Sequence, residues 1–226
     1  MCGRFAQTIR YEKVMRDFDV HEITAIVEEI QAKYNCAPGQ RAMVVSSQKG
    51  QRILEYLGWG ITRIVKDEKT VQLINIRMES YREKPSVHAL RCVIPVDGFY
   101  EWHKSGKKSQ PYYFYRRDGQ PIVLAGLCEK SSLSTSRFAI VTIPACGVIA
   151  AIHHRMPCVL PQELTQAWLT GDSTDTIVHA ATLSSIDTIV CHQVSDAVNN
   201  VHNDSPACCE QYAVRTLFPL ENDIEQ

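Results

Sequence analysis

Apolar residues gather in short runs bounded by turn residues along several stretches of this 226-residue chain, and follow the helical period along only a few. A short apolar run or an alternating stretch between turn signals marks a strand; apolar residues at i, i+3 and i+4 mark a helix face. Residues 42–46 and 52–59 read as strands joined by a turn at Gly50. Further strands are expected at 91–95, 98–104, 112–116, 122–127, 138–143 and 186–194. Asp118-Gly119, between two of them, is a hairpin signal, because these residue types tolerate the positive φ of a tight turn. Residues 8–32 read as helical in two parts. The first, 8–18, is mixed; the second, 22–32, places Ile23, Ile26, Val27 and Ile30 at helical spacing. Short helices are expected at 78–84, at 161–169 with Trp168 facing inward, and at 175–181. Residues 145–152 read as a buried helix or turn, 34–39 as a turn, 66–69 as an exposed loop and 106–108 as a loop tip.

Strands dominate this pattern and do not alternate regularly with helices. That favours an α+β or mainly β fold over a doubly wound sheet. No internal repeat or low-complexity linker interrupts the chain. The expectation is one compact α+β domain over residues 1–226, strand-rich, with barrel-like mixed sheets and peripheral helices. Its tail, 201–226, is expected to be largely loop.

Composition changes this picture little. Hydrophobic residues make up 45% and charged residues 22%, ordinary for a globular protein. With 24 basic and 25 acidic side chains the net charge is -1, so a nucleic-acid partner would need locally concentrated positive charge. No apolar stretch approaches the ~18 residues that span a bilayer, and no secretory signal is expected before Cys2. A cytoplasmic protein is expected, associated with the nucleoid if bacterial. The nine cysteines, an odd number, lack CxxC pairs and zinc spacing. Most read as buried free thiols of a reducing compartment, and neither a metal nor another cofactor is expected.

Cys2 stands apart by position. Removal of Met1, favoured by a small following side chain, leaves a residue carrying two nucleophiles: an α-amine with pKa of about 8 and a thiol of about 8.5. An aldehyde condenses with the amine to an imine, and the thiol closes on the imine carbon to a five-membered thiazolidine. Only a 1,2-aminothiol can do this. Gly3 removes side-chain crowding beside it. On position alone, a small apolar residue at a chain end is the plainer reading.

The motifs that follow resemble those of the SOS-response-associated peptidase (SRAP) family. They begin with Met1-Cys2-Gly3-Arg4-Phe5-Ala6 and continue with Tyr34-Asn35-Cys36-Ala37-Pro38-Gly39, Trp59-Gly60 and Asn75-Ile76-Arg77-Met78-Glu79-Ser80. The block Arg91 to Trp102 is similar to the family's RCxxPxxGxYEW, and Ile152-His153-His154-Arg155-Met156-Pro157 to its IHxRMP. Together they run in order through about residue 200. Departures are Ile76 where the family has alanine, Ser80 for threonine, Cys128 for tryptophan, and 61–66 without a second tryptophan.

The resemblance implies a strand-rich α+β domain with a positively charged groove. It implies sensing of abasic sites in single-stranded DNA through a covalent cross-link to the N-terminal cysteine, with self-processing and slow reversal. Cys2 is then the nucleophile, Asn75 polarises or positions the reacting group, and Glu101 and His153 form the acid–base pair. Arg4 and Arg77 are expected phosphate contacts. Arg155 either joins them or forms a structural ion pair. Trp59, Phe99, Tyr100 and Trp102 are the candidates to stack on a base, although aromatic side chains on strands are more often core. Lys104, Lys107 and Lys108 form a basic tip. His153 and His154 point to opposite sides if extended, so at most one of them faces the site, and the resemblance selects His153. A lyase side reaction is open to the imine. The competing readings are an N-terminal-nucleophile cysteine peptidase or amidase, whose α-amine serves as base, and a non-catalytic single-stranded DNA binder.

Overall fold

The computed structural model describes residues 2–64, 69–83, 90–106, 108–130, 135–171 and 173–212, without the side chains of residues 64 and 185–187. The loop residues Lys66, Asp67 and Glu68, the helix end at Lys84, the tip residue Lys107 and the tail beyond 212 lie outside the described residues. In chain order the strands are β1 (Arg4–Gln7), β2 (Glu22–Ile23), β3 (Lys33–Cys36), β4 (Arg41–Gln48), β5 (Gln51–Trp59), β6 (Ile61–Ile64), β7 (Thr70–Leu73), β8 (Asn75–Arg77), β9 (Leu90–Val96), β10 (Gly98–Ser105), β11 (Lys108–Arg116), β12 (Ile122–Glu129), β13 (Arg137–Pro144), β14 (Arg155–Pro157), β15 (Val159–Leu160) and β16 (Ile189–Gln193). The helices are α1 (Tyr11–Asp17), α2 (Met78–Glu83), α3 (Gly147–Ala150), α4 (Thr165–Thr170) and α5 (Thr174–Thr188).

Two sheets organise the molecule. In the first, β13, β12, β9, β4 and β5 pair in that order. β5 then returns to β13 through Arg137↔Gly58 and Phe138↔Trp59, which closes the five strands into a ring. Closure removes the unpaired edges that an open sheet would present. The second sheet is open and antiparallel, in the order β16-β11-β10-β1-β3. The α+β, barrel-like expectation is the fold that forms.

The main core joins the two sheets. Phe5, Phe99 and Phe114 from the open sheet pack into one buried cluster with Trp59, Phe138, Val44 and Leu124 from the ring. The Phe5 and Trp59 ring centroids are 4.8 Å apart, and Trp59 stacks on Phe138 at 6.2 Å. Gln7 is a polar rivet across the same seam. Its Nε2 donates to the carbonyls of Met43 (3.0 Å) and Pro95 (2.8 Å), and its Oε1 accepts the Met43 N–H at 2.7 Å. Every polar atom of that buried amide is therefore used, as burial demands.

Tertiary pairing overrode local pattern in several places. The second helix expected at 22–32 does not form: Glu22 and Ile23 pair in parallel with Ile53 and Leu54. A 3-10 turn follows at Val27–Glu29. The isoleucines and valine lose χ1 freedom in a helix, and Ile26 is 56% exposed, so the spacing did not mark a buried face. The segment at 34–39 begins as strand β3 and turns only at its end, where Gly39 has φ 88. Asp118-Gly119 does turn, with Gly119 at φ 70. The strands it joins are not partners, however: β11 pairs with β10 and β16, and β12 with β9, β13 and β15. The turn carries the chain from one sheet to the other. Within 60–76 the structure has the hairpin β6–β7 and then β8. Helix α5 runs to Thr188, past the expected end at 181.

Gly98 is needed for close approach. It pairs with Tyr115, and a Cβ there would press into the Tyr113 ring and the Phe114 carbonyl. Gly98→Ala should cost about 1–3 kcal/mol. A lower urea midpoint at unchanged m-value checks this; an unchanged midpoint contradicts the packing argument.

Candidate active site

β1 is a central strand of the open sheet, and this places the residue just before it. β10 bonds one edge of β1 through Arg4↔Tyr100, Phe5↔Phe99 and Ala6↔Gly98. β3 bonds the other through Phe5↔Cys36 and, after a bulge, Gln7↔Lys33. Cys2 is fully buried at the head of this strand and belongs to the core cluster. Its Sγ lies 3.8 Å from the Arg4 carbonyl oxygen, a weak S–H contact.

Asn75 reaches Cys2 from the ring side. β8 runs parallel to β13 with Asn75 opposite Ile140. The approach is fixed one residue earlier, where the Ile74 carbonyl accepts both the Ile140 N–H (3.0 Å) and Trp59 Nε1–H (2.9 Å). Asn75 Nδ2 donates to the Cys2 carbonyl at 2.8 Å. Its Oδ1 is buried without a hydrogen-bond partner among the described residues. An acceptor left open beside the nucleophile can hold an N–H or O–H of a reacting species.

Glu101 lies one position beyond Tyr100 on β10. Alternation turns it to the same side as Phe99, toward the core and Cys2, while Tyr100 and Trp102 face the opposite way. Only 2% of Glu101 is exposed, and burial raises its carboxyl pKa above the ordinary carboxylate range. Burial also raises the Cys2 thiol, and the negative charge of Glu101 raises it further. At neutral pH the thiol is therefore protonated, and the carboxyl is closer to its acid form than an exposed glutamate.

His153 is held by its neighbour's backbone. The Arg155 N–H donates to His153 Nδ1 at 2.9 Å. The same Nδ1 lies 3.0 Å from the Arg155 carbonyl oxygen, to which it donates in the other tautomer. Burial lowers the His153 pKa, which favours the neutral imidazole. His154 stacks on it with centroids 4.4 Å apart, is exposed, and in its protonated form lowers the Glu101 carboxyl pKa. The sequence argument gave one of the two histidines to the site; in the structure they stack as a pair.

The other candidates divide. Arg77 is exposed at the end of β8, free to meet a phosphate. Lys104 and Lys108 are exposed near the tip of the β10–β11 hairpin. Trp59 is a correction: it is fully buried, with its faces covered by Phe5 and Phe138 and its N–H on Ile74. It offers no face to a base and instead sets the chain leading to Asn75. Arg155 takes the ion-pair alternative. Its side chain is 9% exposed, and its guanidinium forks onto Glu79 at 2.7 and 2.9 Å and donates to the Thr142 carbonyl at 2.7 Å. That pairing holds Glu79 below the usual carboxylate range. Arg4 is also engaged internally, with Nη1 on Asn35 Oδ1 (2.8 Å) and on the Val198 carbonyl (2.5 Å). Sequence reasoning missed Glu79 and Asn35 as partners of these arginines. Both stood inside the quoted motifs, but nothing in linear spacing shows a contact across 31 or 76 residues.

Among the described residues no group of His, Cys, Asp or Glu is placed to hold a metal ion, and no helix is long and apolar enough to cross a membrane. All nine cysteines are free, six of them buried.

An α+β fold that places a cysteine just before its first strand, beside a buried carboxyl and an open carboxamide oxygen, defines a class of protein with a nucleophile near its N-terminus. The chain belongs to the SOS response associated peptidase (SRAP) family, whose description matches residues 1–201. It is 32% identical over 216 residues to the abasic site processing protein YedK of Escherichia coli, covering 90% of this chain and 96% of that protein. It is 31% identical over 225 residues to the abasic site processing protein YoqW of Bacillus subtilis, covering 94% and 100%. A crystal structure of a Bacteroides thetaiotaomicron protein has the same fold, with TM-score 0.76 at 20% identity, covering 94% of this chain and all of that one.

Glu101 makes stability depend on pH in a definite direction. Its native pKa is raised, so its contribution is fully present below the unfolded value of about 4.3 and is lost as pH rises through the native one. Glu101→Gln removes this titration. The variant should gain in melting temperature relative to wild type as pH rises from 4 to 8. A constant difference across that range would show that the carboxyl is not buried at a cost.

Proposed function

We propose that this chain processes abasic sites in single-stranded DNA by forming a thiazolidine cross-link between Cys2, freed by hydrolysis of the Met1–Cys2 bond, and the sugar aldehyde. The observation that carries the reading is the Asn75–Cys2 contact at 2.8 Å beside a buried Glu101 that acts electrostatically on the Cys2 thiol. Its relatives bear the name abasic site processing protein, and the motifs that carry the chemistry are present.

The order of steps follows from the protonation states. A thiol kept protonated is a poor first nucleophile, whereas an α-amine with pKa of about 8 is partly free base near neutral pH. The amine adds to the aldehyde carbon and gives a carbinolamine. Asn75 Oδ1 accepts from the amine N–H and orients its lone pair for this addition. Glu101, its acid form extended by burial, then donates a proton to the departing hydroxyl; water leaves, an iminium forms and Glu101 is left as carboxylate. Cys2 Sγ adds to the iminium carbon, and the thiol proton passes to Glu101, which restores its acid form. The balance is aldehyde plus aminothiol giving thiazolidine plus water. His153 donates from its imidazole to the sugar ring oxygen or the 4′-hydroxyl, favouring the open-chain aldehyde. Arg77 contacts a flanking phosphate. Reversal retraces these steps, and elimination of the 3′ phosphate from the imine gives a lyase side reaction.

Intact mass after mixing with single-stranded DNA that carries one abasic site tests this. The expected adduct is protein without Met1, plus DNA, minus water. Cys2→Ser retains the amine, so its adduct should appear only after borohydride reduction of the imine. An unreduced Cys2→Ser adduct as stable as wild type removes the thiol from the mechanism; loss of Met1 with no adduct at all removes the aldehyde reading. Glu101→Gln should slow adduct formation about 100-fold, in the range of general acid catalysis, read as a single-turnover rate.

A further inference from the structure

Asn35 is fully buried on β3, and its side chain spends every polar group on two targets. Oδ1 accepts from Arg4 Nη1 at 2.8 Å. Nδ2 donates to the carbonyls of Val198 (3.1 Å), Asn200 (3.1 Å) and Asn203 (2.8 Å). Arg4 grips the same loop through the Val198 carbonyl at 2.5 Å and the Asn199 carbonyl at 3.3 Å. The loop is pinned again from the sheet: Trp102 Nε1 donates to Asn199 Oδ1 at 2.7 Å. Asp204 Oδ1 accepts the backbone N–H of Tyr34 (2.6 Å) and Asn35 (3.0 Å). Arg4 is thus clamped between β3 and the 198–203 loop, and its own carbonyl is the group that Cys2 Sγ approaches.

We propose that Asn35 is a positioning residue for the Cys2 nucleophile, acting through Arg4 and the loop it clamps. The inference rests on the cross-linking chemistry above and adds a requirement to it. Thiazolidine closure demands that the amine and thiol of one residue reach the same carbon in turn. The Cys2 side chain must then keep one rotamer while its amine is already bonded. A strand held only by backbone pairing can slide or fray at its first residue. The Arg4 clamp stops that at the residue whose carbonyl meets the thiol. Asparagine is required because it must both accept from a guanidinium and donate to carbonyls; aspartate only accepts, and burying it against three carbonyls repels them. Arg4 accordingly acts within the fold instead of on a phosphate.

The test compares wild type, Asn35→Asp and Arg4→Gln, each lacking Met1 and each assayed well below its own melting temperature. Three quantities are read: the single-turnover cross-linking rate at saturating abasic DNA, the affinity for DNA carrying a tetrahydrofuran site that has no aldehyde, and the share of adduct trapped by borohydride as imine. Ring closure should slow about 10- to 100-fold, the scale of a misplaced reacting group. Imine should accumulate, and affinity should change less than about twofold. If Asn35→Asp does not fold, Arg4→Gln breaks the same link and carries the same expectation. Unchanged imine share with unchanged rate overturns the proposal. A loss confined to affinity overturns it too and returns Arg4 to the phosphate. Glycolaldehyde in place of DNA separates the two readings. Equal thiazolidine closure in wild type and variants refutes positioning by Asn35, whereas closure with glycolaldehyde but no adduct with DNA refutes the DNA reading alone.

Discussion

The structure depends on burying the first strand in the middle of a sheet. Chain ends usually fray because few contacts hold them. Here β1 has hydrogen-bonded neighbours on both edges, Phe5 in the main core and Gln7 riveted to Met43 and Pro95. A cysteine immediately before such a strand inherits its rigidity. The conformational entropy that a free terminus would lose on meeting its target has already been given up in folding. The ring of five strands is the rigid body against which this is done, since it supplies both Trp59 beneath Phe5 and the β13 edge that carries Asn75.

Burial then sets the chemistry. In water, a thiol and a carboxyl side by side would be largely neutral and largely ionised respectively at pH 7. Desolvation disfavours both charged forms, and the Glu101 charge further penalises the thiolate. The result is a protonated thiol beside a carboxyl with raised pKa. That combination suits carbonyl condensation, where water must be expelled from a carbinolamine before the sulfur acts. It suits amide hydrolysis by a free thiolate less well. The same low-dielectric setting explains why arginines near the site are paired: Arg155 with Glu79 and Thr142, Arg4 with Asn35 and backbone carbonyls. A buried guanidinium left without acceptors would be costly.

Paired and exposed cations play different parts in this molecule. Arg77, Lys104 and Lys108 remain at the surface. They supply local positive charge that a net charge of -1 hides. Phosphate attraction is long-ranged and tolerant of geometry, so exposed side chains suffice for it. Placement of the nucleophile is short-ranged and intolerant, so the fold commits its buried polar groups there.

Much of this was written in the linear sequence. Short apolar runs between turn residues gave β4, β5, β9–β13 and β16 to within a few residues, because a strand buried on both faces reads as a near-continuous apolar run. Cys2, Asn75, Glu101 and His153 were legible as motif residues, since their chemistry is a property of residue type. What the sequence left open was pairing. Asp118-Gly119 specifies a turn whether or not the strands beside it become partners, and the ring and the open sheet had already taken their edges. The spacing of Ile23, Ile26 and Val27 fits a helix as well as a strand and a turn until β5 offers an edge to Ile23. Trp59, Arg155 and Arg4 are residue types that serve a DNA surface or an interior equally. Only the tertiary structure, by setting their neighbours, decided that Trp59 and Arg155 are buried and that Arg4 bonds Asn35 and the 198–203 loop.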